Sequence, residues 1–247
     1  MKDLFSDDSK QYQRARPDYS PAIVETILKY VNRRELAWDC GAGSGQFTQR
    51  LAPHFQQILA TDLSAAQLAE APHLANVHYE AAQAAECPLP SQSVDLVTVA
   101  QAIHWFDFDA FYSEVKRVLK AHGVIAVIGY GLIQAEQTEL NELLQQLYFE
   151  TLKGYWDAER RYIDESYQTI PFPFHEYTTP ALSLDYAWST QQILNYLQTW
   201  SGLKHYQKLH PEQQPLAALL DFFQQQNKQQ YQLHFPVLLR IGSVSQQ

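Results

Sequence analysis

Two cysteines, Cys40 and Cys87, are all the thiol chemistry available to this 247-residue chain. They do not form a CxxC pair, and no group of metal-ligating residues surrounds either one. A disulfide framework and a zinc site therefore have no basis, and both read as reduced thiols, with Cys40 buried in a strand. No apolar run approaches the length of a membrane span. No apolar segment follows a basic start in the manner of a secretory signal. These absences predict a soluble, cytoplasmic protein without a membrane partner. Basic residues are also few: 18 Lys and Arg against 27 Asp and Glu, a net charge of −9. They are scattered as Arg14/Arg16, Arg33/Arg34, Lys116/Arg117 and Arg160/Arg161, with no basic stripe interleaved with aromatics, so nucleic acid is a poor partner. No internal repeat is present, and the Gln-rich stretch 224–232 reads as a solvated helix face and turn.

What is present is a chain that is 46% hydrophobic. That is enough for one α/β domain over 1–247 with an embellishment. The organising stretch is 36–45. Leu36, Ala37 and Trp38 lead into Asp39, and glycines follow at alternate positions 41, 43 and 45. Phe47 and Leu51 then begin a helical spacing. Strand, tight turn and helix are predicted, with glycine where the backbone turns sharply or a ligand comes close. A nicotinamide fingerprint, G-x-G-x-x-G, would place glycine at 46, where this chain has Gln46. A carboxylate at the strand end suits a cationic or hydroxyl-bearing ligand better than a pyrophosphate.

Ser20 and Pro21 open a helix as N-cap and first residue, with Ile23, Val24, Ile27, Leu28 and Val31 on one face. Before it, 1–19 is polar with spaced aromatics and reads as a lid or a tail; Tyr12, Arg16 and Tyr19 are its candidates for the site. Strand two, 58–61, ends at Asp62, 19 residues past Gly43. An acidic residue there reaches ribose hydroxyls in nucleoside-binding α/β folds, and a carboxylate accepts both hydrogen bonds of a diol. Asp62 also suits a helix N-terminus, because Ser64 and an Ala-rich helix follow. Strand three is 77–79, strand four 94–100, and strand five 124–128. A helix opens at Asp107 and stops at Gly123. Leu140 to Leu152 marks another helix, 155–173 has aromatics and charge without a period, and 176–184 is strand six. Ser189 and Gln192 have the spacing of a capping box. A last antiparallel strand, 235–241, begins at Pro236. The helices of about 185–230 form a cap over a substrate pocket.

The Asp39/G-x-G-x-G loop resembles motif I of the class I S-adenosylmethionine-dependent methyltransferases. The stretch 94–107, Val-Asp-Leu-Val-Thr-Val-Ala-Gln-Ala-Ile-His-Trp-Phe-Asp, resembles the segment after strand four in type 11 methyltransferases, within them the trans-aconitate and cantharidin methyltransferase subgroup. Arg16-Pro17-Asp18-Tyr19-Ser20-Pro21 and Thr199-Trp200-Ser201 match that subgroup's Arg-Pro-x-Tyr-x-Pro opening and later Thr-Trp-Ser element. The resemblance covers 5–131 well and the rest loosely. It implies a Rossmann-like α/β fold: a seven-stranded, mostly parallel sheet with an antiparallel last strand, helices on both faces and a helical cap insertion. It implies S-adenosyl-L-methionine as cofactor, bound by Tyr12, Arg16, Asp39, Gly41, Ala42, Gly43, Gly45, Asp62, Leu63, Gln67, Ala85, Glu86 and Gln101. Relatives carry an acidic residue where this chain has Ala84, so backbone groups are expected to read the adenine.

Tyr19, His104, Trp105, Tyr130 and Trp200 are the candidates for the substrate side, and His104 for a general base. His104 reads equally as a histidine bonded to a carbonyl, and the aromatics equally as core. Methyl transfer from a sulfonium needs alignment and water exclusion. A carboxylate acceptor needs no base, and a cation for it is expected from Arg160, Arg161 or His205. Two functions remain at this stage: a methyltransferase for a small molecule, with an organic acid as candidate acceptor, and a non-catalytic cofactor-binding regulator. Either works as monomer or homodimer.

Overall fold

The structure, a computed structural model, describes residues 15–226 and 228–244. The chain enters through α1 (Pro21–Leu28). Ser20 has extended backbone and its hydroxyl accepts from the Ala22 N–H at 3.3 Å, while Pro21 takes the position where no N–H is needed. Four parallel strands follow: β1 (Leu36–Cys40), β2 (Gln57–Asp62), β3 (Val77–Ala81) and β4 (Val94–Ala100). Between them lie α2 (Gln46–Leu51) and α3 (Ala65–Ala69). The first six residues of β4 are buried, the pattern of a strand covered on both faces. Next come α4 (Phe108–Val118), β5 (Leu119–Tyr130), β6 (Gln134–Ala135), α5 (Thr138–Gln146) and the short α6 (Arg161–Asp164). The chain closes with β7 (His175–Tyr177), β8 (Ser183–Trp188), α7 (Thr190–Gln198), α8 (Ser201–Leu209), α9 (Ala217–Gln225) and β9 (Tyr231–Ser243).

The sheet runs β3-β2-β1-β4-β5-β9. Its nine segments reduce to seven strands, because two strands are interrupted against β9. One edge of β9 pairs first with β5 and then, past Gly131, with β6 in a register shifted by one. The other edge pairs with β7 and then β8, again shifted by one. The expected strand six, 176–184, is this broken pair, and the antiparallel last strand is β9. Pro236 is inside β9 rather than at its start. It sits where both edges change partner, so its missing N–H breaks no ladder, and its carbonyl still accepts from Gly131.

Helix α4 ends at Val118, not at Gly123. Leu119 pairs with Val94, and the register with β4 then shifts so that Leu96 faces Val124. Gly123 lies in the resulting bulge, where a Cβ would come within 3.0 Å of the Val94 carbonyl. Two apolar layers sandwich the sheet. Ala37, Leu96, Ala126 and Ile128 face α1, α2, α5 and α7 to α9; Trp38, Val97, Val99, Ile125 and Val127 face α4 and α6. Period-two alternation along the strands thus sends helices to both faces. Fully burying one side chain such as Phe111 or Ile193 contributes about 1.5–3 kcal/mol. Among the described residues no helix is long and apolar enough to cross a membrane, and no cluster of acidic, His and Cys side chains suits a metal.

Candidate functional site

The C-terminal ends of β1, β2, β4 and β5 open on a cavity of about 320 Å³, the position where open parallel sheets take ligands. Asp39, one residue before the end of β1, has no exposed surface. Its two oxygens accept from the Thr98 hydroxyl at 2.7 Å and the Thr48 hydroxyl at 2.5 Å, so among the described residues its partners are two hydroxyls and no cation. Burial lifts its pKa from 3.8 to about 6, the hydroxyls oppose the rise, and Asp62 adds to it.

The loop after Asp39 runs through left-handed backbone at Gly41 (φ +71°), Gly43 (φ +55°) and Gly45 (φ +76°). The N–H groups of Gly41 and Ala42 both donate to the Thr61 carbonyl, at 2.8 and 2.9 Å. A Cβ on Gly41 would lie 2.6 Å from that of Ala102, and one on Gly43 would meet Oε1 of Gln67 at 2.8 Å. Asp62 ties the loop to β2. One oxygen accepts from the Gly43 N–H at 2.9 Å and the other from the Ser64 N–H at 2.8 Å. Each keeps a further lone pair for a ligand hydroxyl.

Of the expected residues, Arg16, Tyr19, Asp39, Gly41, Ala42, Gly43, Asp62, Leu63, Gln67, Gln101, His104, Trp105, Tyr130 and Trp200 line this one cavity. Gly45, Ala85 and Glu86 are not among its lining residues. Gly45 instead caps α2 and abuts Tyr79. Glu86 is exposed, its N–H donating to the Gln83 carbonyl in a turn that leaves Ala84 facing the cavity. Tyr12 and the rest of 1–14 lie outside the described residues. Tyr19 belongs to the core as well as the cavity: it is 5% exposed, with its ring 5.0 Å from Phe47. Arg16 donates to the Tyr130 hydroxyl at 3.3 Å and to the Thr199 carbonyl at 3.5 Å.

His104 is 7% exposed, with Nδ1 3.3 Å from the Tyr167 hydroxyl. Burial, then the nearby charges of Arg160 and Arg16, pull its pKa from 6.5 to about 3. It is a neutral imidazole at any ordinary pH. Arg160 and His205 line the cavity, whereas Arg161 does not and lies over the Tyr162 ring, 4.6 Å from its centroid. Sequence reasoning missed Trp156, Asp157, Ile163 and Lys204 as lining residues, and Tyr167 behind them. Most come from 155–173, where aromatics and charges occur without a period. That lack of period was the available signal, since such residues are not explained by one buried face.

The cavity therefore has two unlike ends. At the glycine loop, bare backbone, a carboxylate with spare lone pairs and a buried carboxylate without a cation fit a ligand carrying a diol and a positive centre. At the other end Arg16, Arg160, Lys204 and His205 gather around Trp105, Trp156 and Trp200.

Known proteins similar to this chain are methyltransferases by name. A family described as a methyltransferase domain matches residues 38–127. A protein of Dictyostelium discoideum named "Putative methyltransferase" is 38% identical over 203 residues, covering 81% of this chain and 77% of that one. A Saccharomyces cerevisiae protein named "Probable S-adenosylmethionine-dependent methyltransferase" is 29% identical over 150 residues, 57% of this chain and 51% of its own. The solved structure of a "Putative Type II Methyltransferase" from Anaeromyxobacter dehalogenans superposes with a TM-score of 0.87 at 32% identity, covering 94% of this chain and 99% of that one.

Proposed function

The chain belongs to the class I S-adenosylmethionine-dependent methyltransferases, and from there we propose that its acceptor is the carboxylate of a small organic acid, as in the trans-aconitate methyltransferase subgroup. The observation that carries this reading is the neighbourhood of His104. Burial lowers its pKa most, and the cations Arg160 and Arg16 lie close enough to lower it further, to about 3. A group with that pKa is a weak base at neutral pH, whereas a carboxylate is already nucleophilic and is drawn to the two guanidinium groups.

The cofactor, when bound, supplies a methyl group on a positively charged sulfur. The glycine loop and Gln67 would receive its body, Asp62 its ribose hydroxyls, and Asp39 would lie on the side of its positive charge. Arg16 and Arg160 hold the acceptor carboxylate, Trp105, Trp156 and Trp200 exclude water, and no side chain removes a proton. In this reading 1–247 is a single methyltransferase domain, with α7 to α9 as the cap and 1–19 as the lid over the cofactor.

The test is a panel of small acids, phenols and amines incubated with S-adenosylmethionine labelled in its methyl group. Label is expected in base-labile esters of the acids. Label confined to phenols or amines would sink the proposal.

A further inference from the structure

We infer that Tyr167 and Gln101 fix His104 as the Nδ1–H tautomer, so that its Nε2 presents a lone pair to a hydroxyl on the acceptor, making the substrate a hydroxy acid. The choice of a hydroxy acid rests on the carboxylate reading above; the tautomer does not.

The chain of donors and acceptors has one consistent direction. It starts at the backbone carbonyl of Tyr130, which only accepts. The Gln101 side chain approaches it at 3.2 Å and must therefore present its NH2 there. That orientation turns Oε1 of Gln101 towards Tyr167, where it receives the phenolic O–H at 3.2 Å. The single proton of Tyr167 is then committed, and its oxygen faces Nδ1 of His104 at 3.3 Å as an acceptor. Nδ1 therefore carries the imidazole proton. Nε2 makes no hydrogen bond among the described residues and is not sealed from solvent, so it opens on the cavity that His104 lines.

The backbone is held out of its ordinary range to build this chain. Gln101 (φ +54°), Ser166 (φ +54°) and Tyr167 (φ +60°) all adopt left-handed conformations, unusual for residues with a Cβ. Arg240 clips the second pair: its guanidinium donates to the carbonyls of Tyr167 at 3.0 Å and Ile170 at 2.7 Å, and Glu176 pairs with its other side. The Tyr167 ring lies so close to Gly129 that a Cβ there would be 2.6 Å from it. Core packing alone would not require this hydroxyl to sit between two polar side chains.

An acceptor lone pair calls for a donor on the substrate. An ammonium donor would be repelled by Arg16 and Arg160, whose charges add to burial in keeping His104 neutral. A hydroxyl is neutral and fits. The depressed pKa keeps Nε2 available as an acceptor across the neutral range. Tyr167 touches no substrate in this arrangement; it is a positioning residue acting through His104.

The test is nitrogen-15 spectroscopy of histidine-labelled protein, with the His104 signals assigned by their loss in His104→Gln. The wild-type ring is expected as Nδ1–H with a bare Nε2. Tyr167→Phe keeps the ring on Gly129 and removes the oxygen. It should shift the ring towards Nε2–H and reduce the kcat/KM preference for a hydroxy acid over its deoxy analogue by about tenfold, the scale of one hydrogen bond. Cofactor affinity should not change. A wild-type ring protonated on Nε2 overturns the inference, and that spectrum is decisive whether or not the variant folds. A Tyr167→Phe protein with the wild-type tautomer overturns the role of Tyr167. If no acid is turned over but the tautomer is as stated, the carboxylate reading fails and the tautomer assignment stands.

Discussion

Asp62 holds the glycine loop by accepting from the Gly43 N–H, accepts also from the Ser64 N–H, and offers its remaining lone pairs to the cavity. Asp62→Ala should weaken S-adenosylmethionine binding by about 1–3 kcal/mol, the cost of leaving hydroxyls and the Gly43 N–H unpaired. Titration calorimetry checks it; unchanged affinity in a folded variant would remove Asp62 from the ribose. His104 gives the opposite expectation. With its pKa near 3 it does not titrate near neutrality. His104→Gln should therefore lower kcat by about tenfold or less, the loss of one positioning contact, and the wild-type rate should not rise with pH around the ordinary histidine range. A loss of about a thousandfold, together with such a rise, would point to a base and a hydroxyl acceptor. Asp39, Asp62 and His104 were legible in the sequence because each lies at or just past the C-terminal end of a strand. Tyr167 and Asp157 were not, because their positions depend on left-handed turns and on the Arg240 clip, which have no periodic signature.

The glycine loop works as one element, because its conformation, its tie to Asp62 and its contacts with Ala102 and Gln67 all depend on bare Cα atoms. Gly43→Val would combine a left-handed φ with a Cβ 2.8 Å from Gln67. It should abolish cofactor binding while the circular dichroism and melting transition of the apo protein change little, since Gly43 packs no core residue; binding at wild-type affinity would place the loop elsewhere. The elements themselves were mostly readable. Ser20, Asp107 and Ser189 each cap the helix that their side chain and position announce, with the Ser189/Gln192 capping box complete. Strand breaks were not readable. The splits at 131–133 and 178–182 come from register shifts against β9, and register is a property of two segments far apart in sequence. The early end of α4 has the same origin, since Leu119 is claimed by Val94.

Across the whole molecule, two buried groups make stability depend on pH in opposite directions. Asp39 has a folded pKa of about 6, above its ordinary 3.8. The folded chain holds that proton more tightly, so its contribution is full below 3.8 and is lost as pH rises through 6. His104 has a folded pKa of about 3, below 6.5. Its contribution is full above 6.5 and is lost as pH falls through 3. Between 3.8 and 6 the two slopes oppose each other. Denaturant unfolding at several pH values should show Asp39→Asn gaining stability relative to wild type as pH rises through that window. His104→Gln should gain relative to wild type as pH falls through it. Parallel curves would mean that neither burial survives in solution.

Strand β9 also sets an order of events. β1 to β5 each find a parallel neighbour within about the first half of the chain, but the other edge of β5 and all of β6, β7 and β8 need β9, which follows every one of them in the sequence. Val124 waits for Ser243. Pairings of such separation form slowly, because a long loop must close before any contact rewards it. During synthesis the cofactor half of the sheet can assemble while the acceptor half still lacks its spine. Pulsed hydrogen exchange during refolding should protect β1 and β4 before β9; simultaneous protection would show a single cooperative step. A ribosome-bound chain halted before residue 231 would then have a glycine loop in place and no wall of acceptor-side cations opposite it.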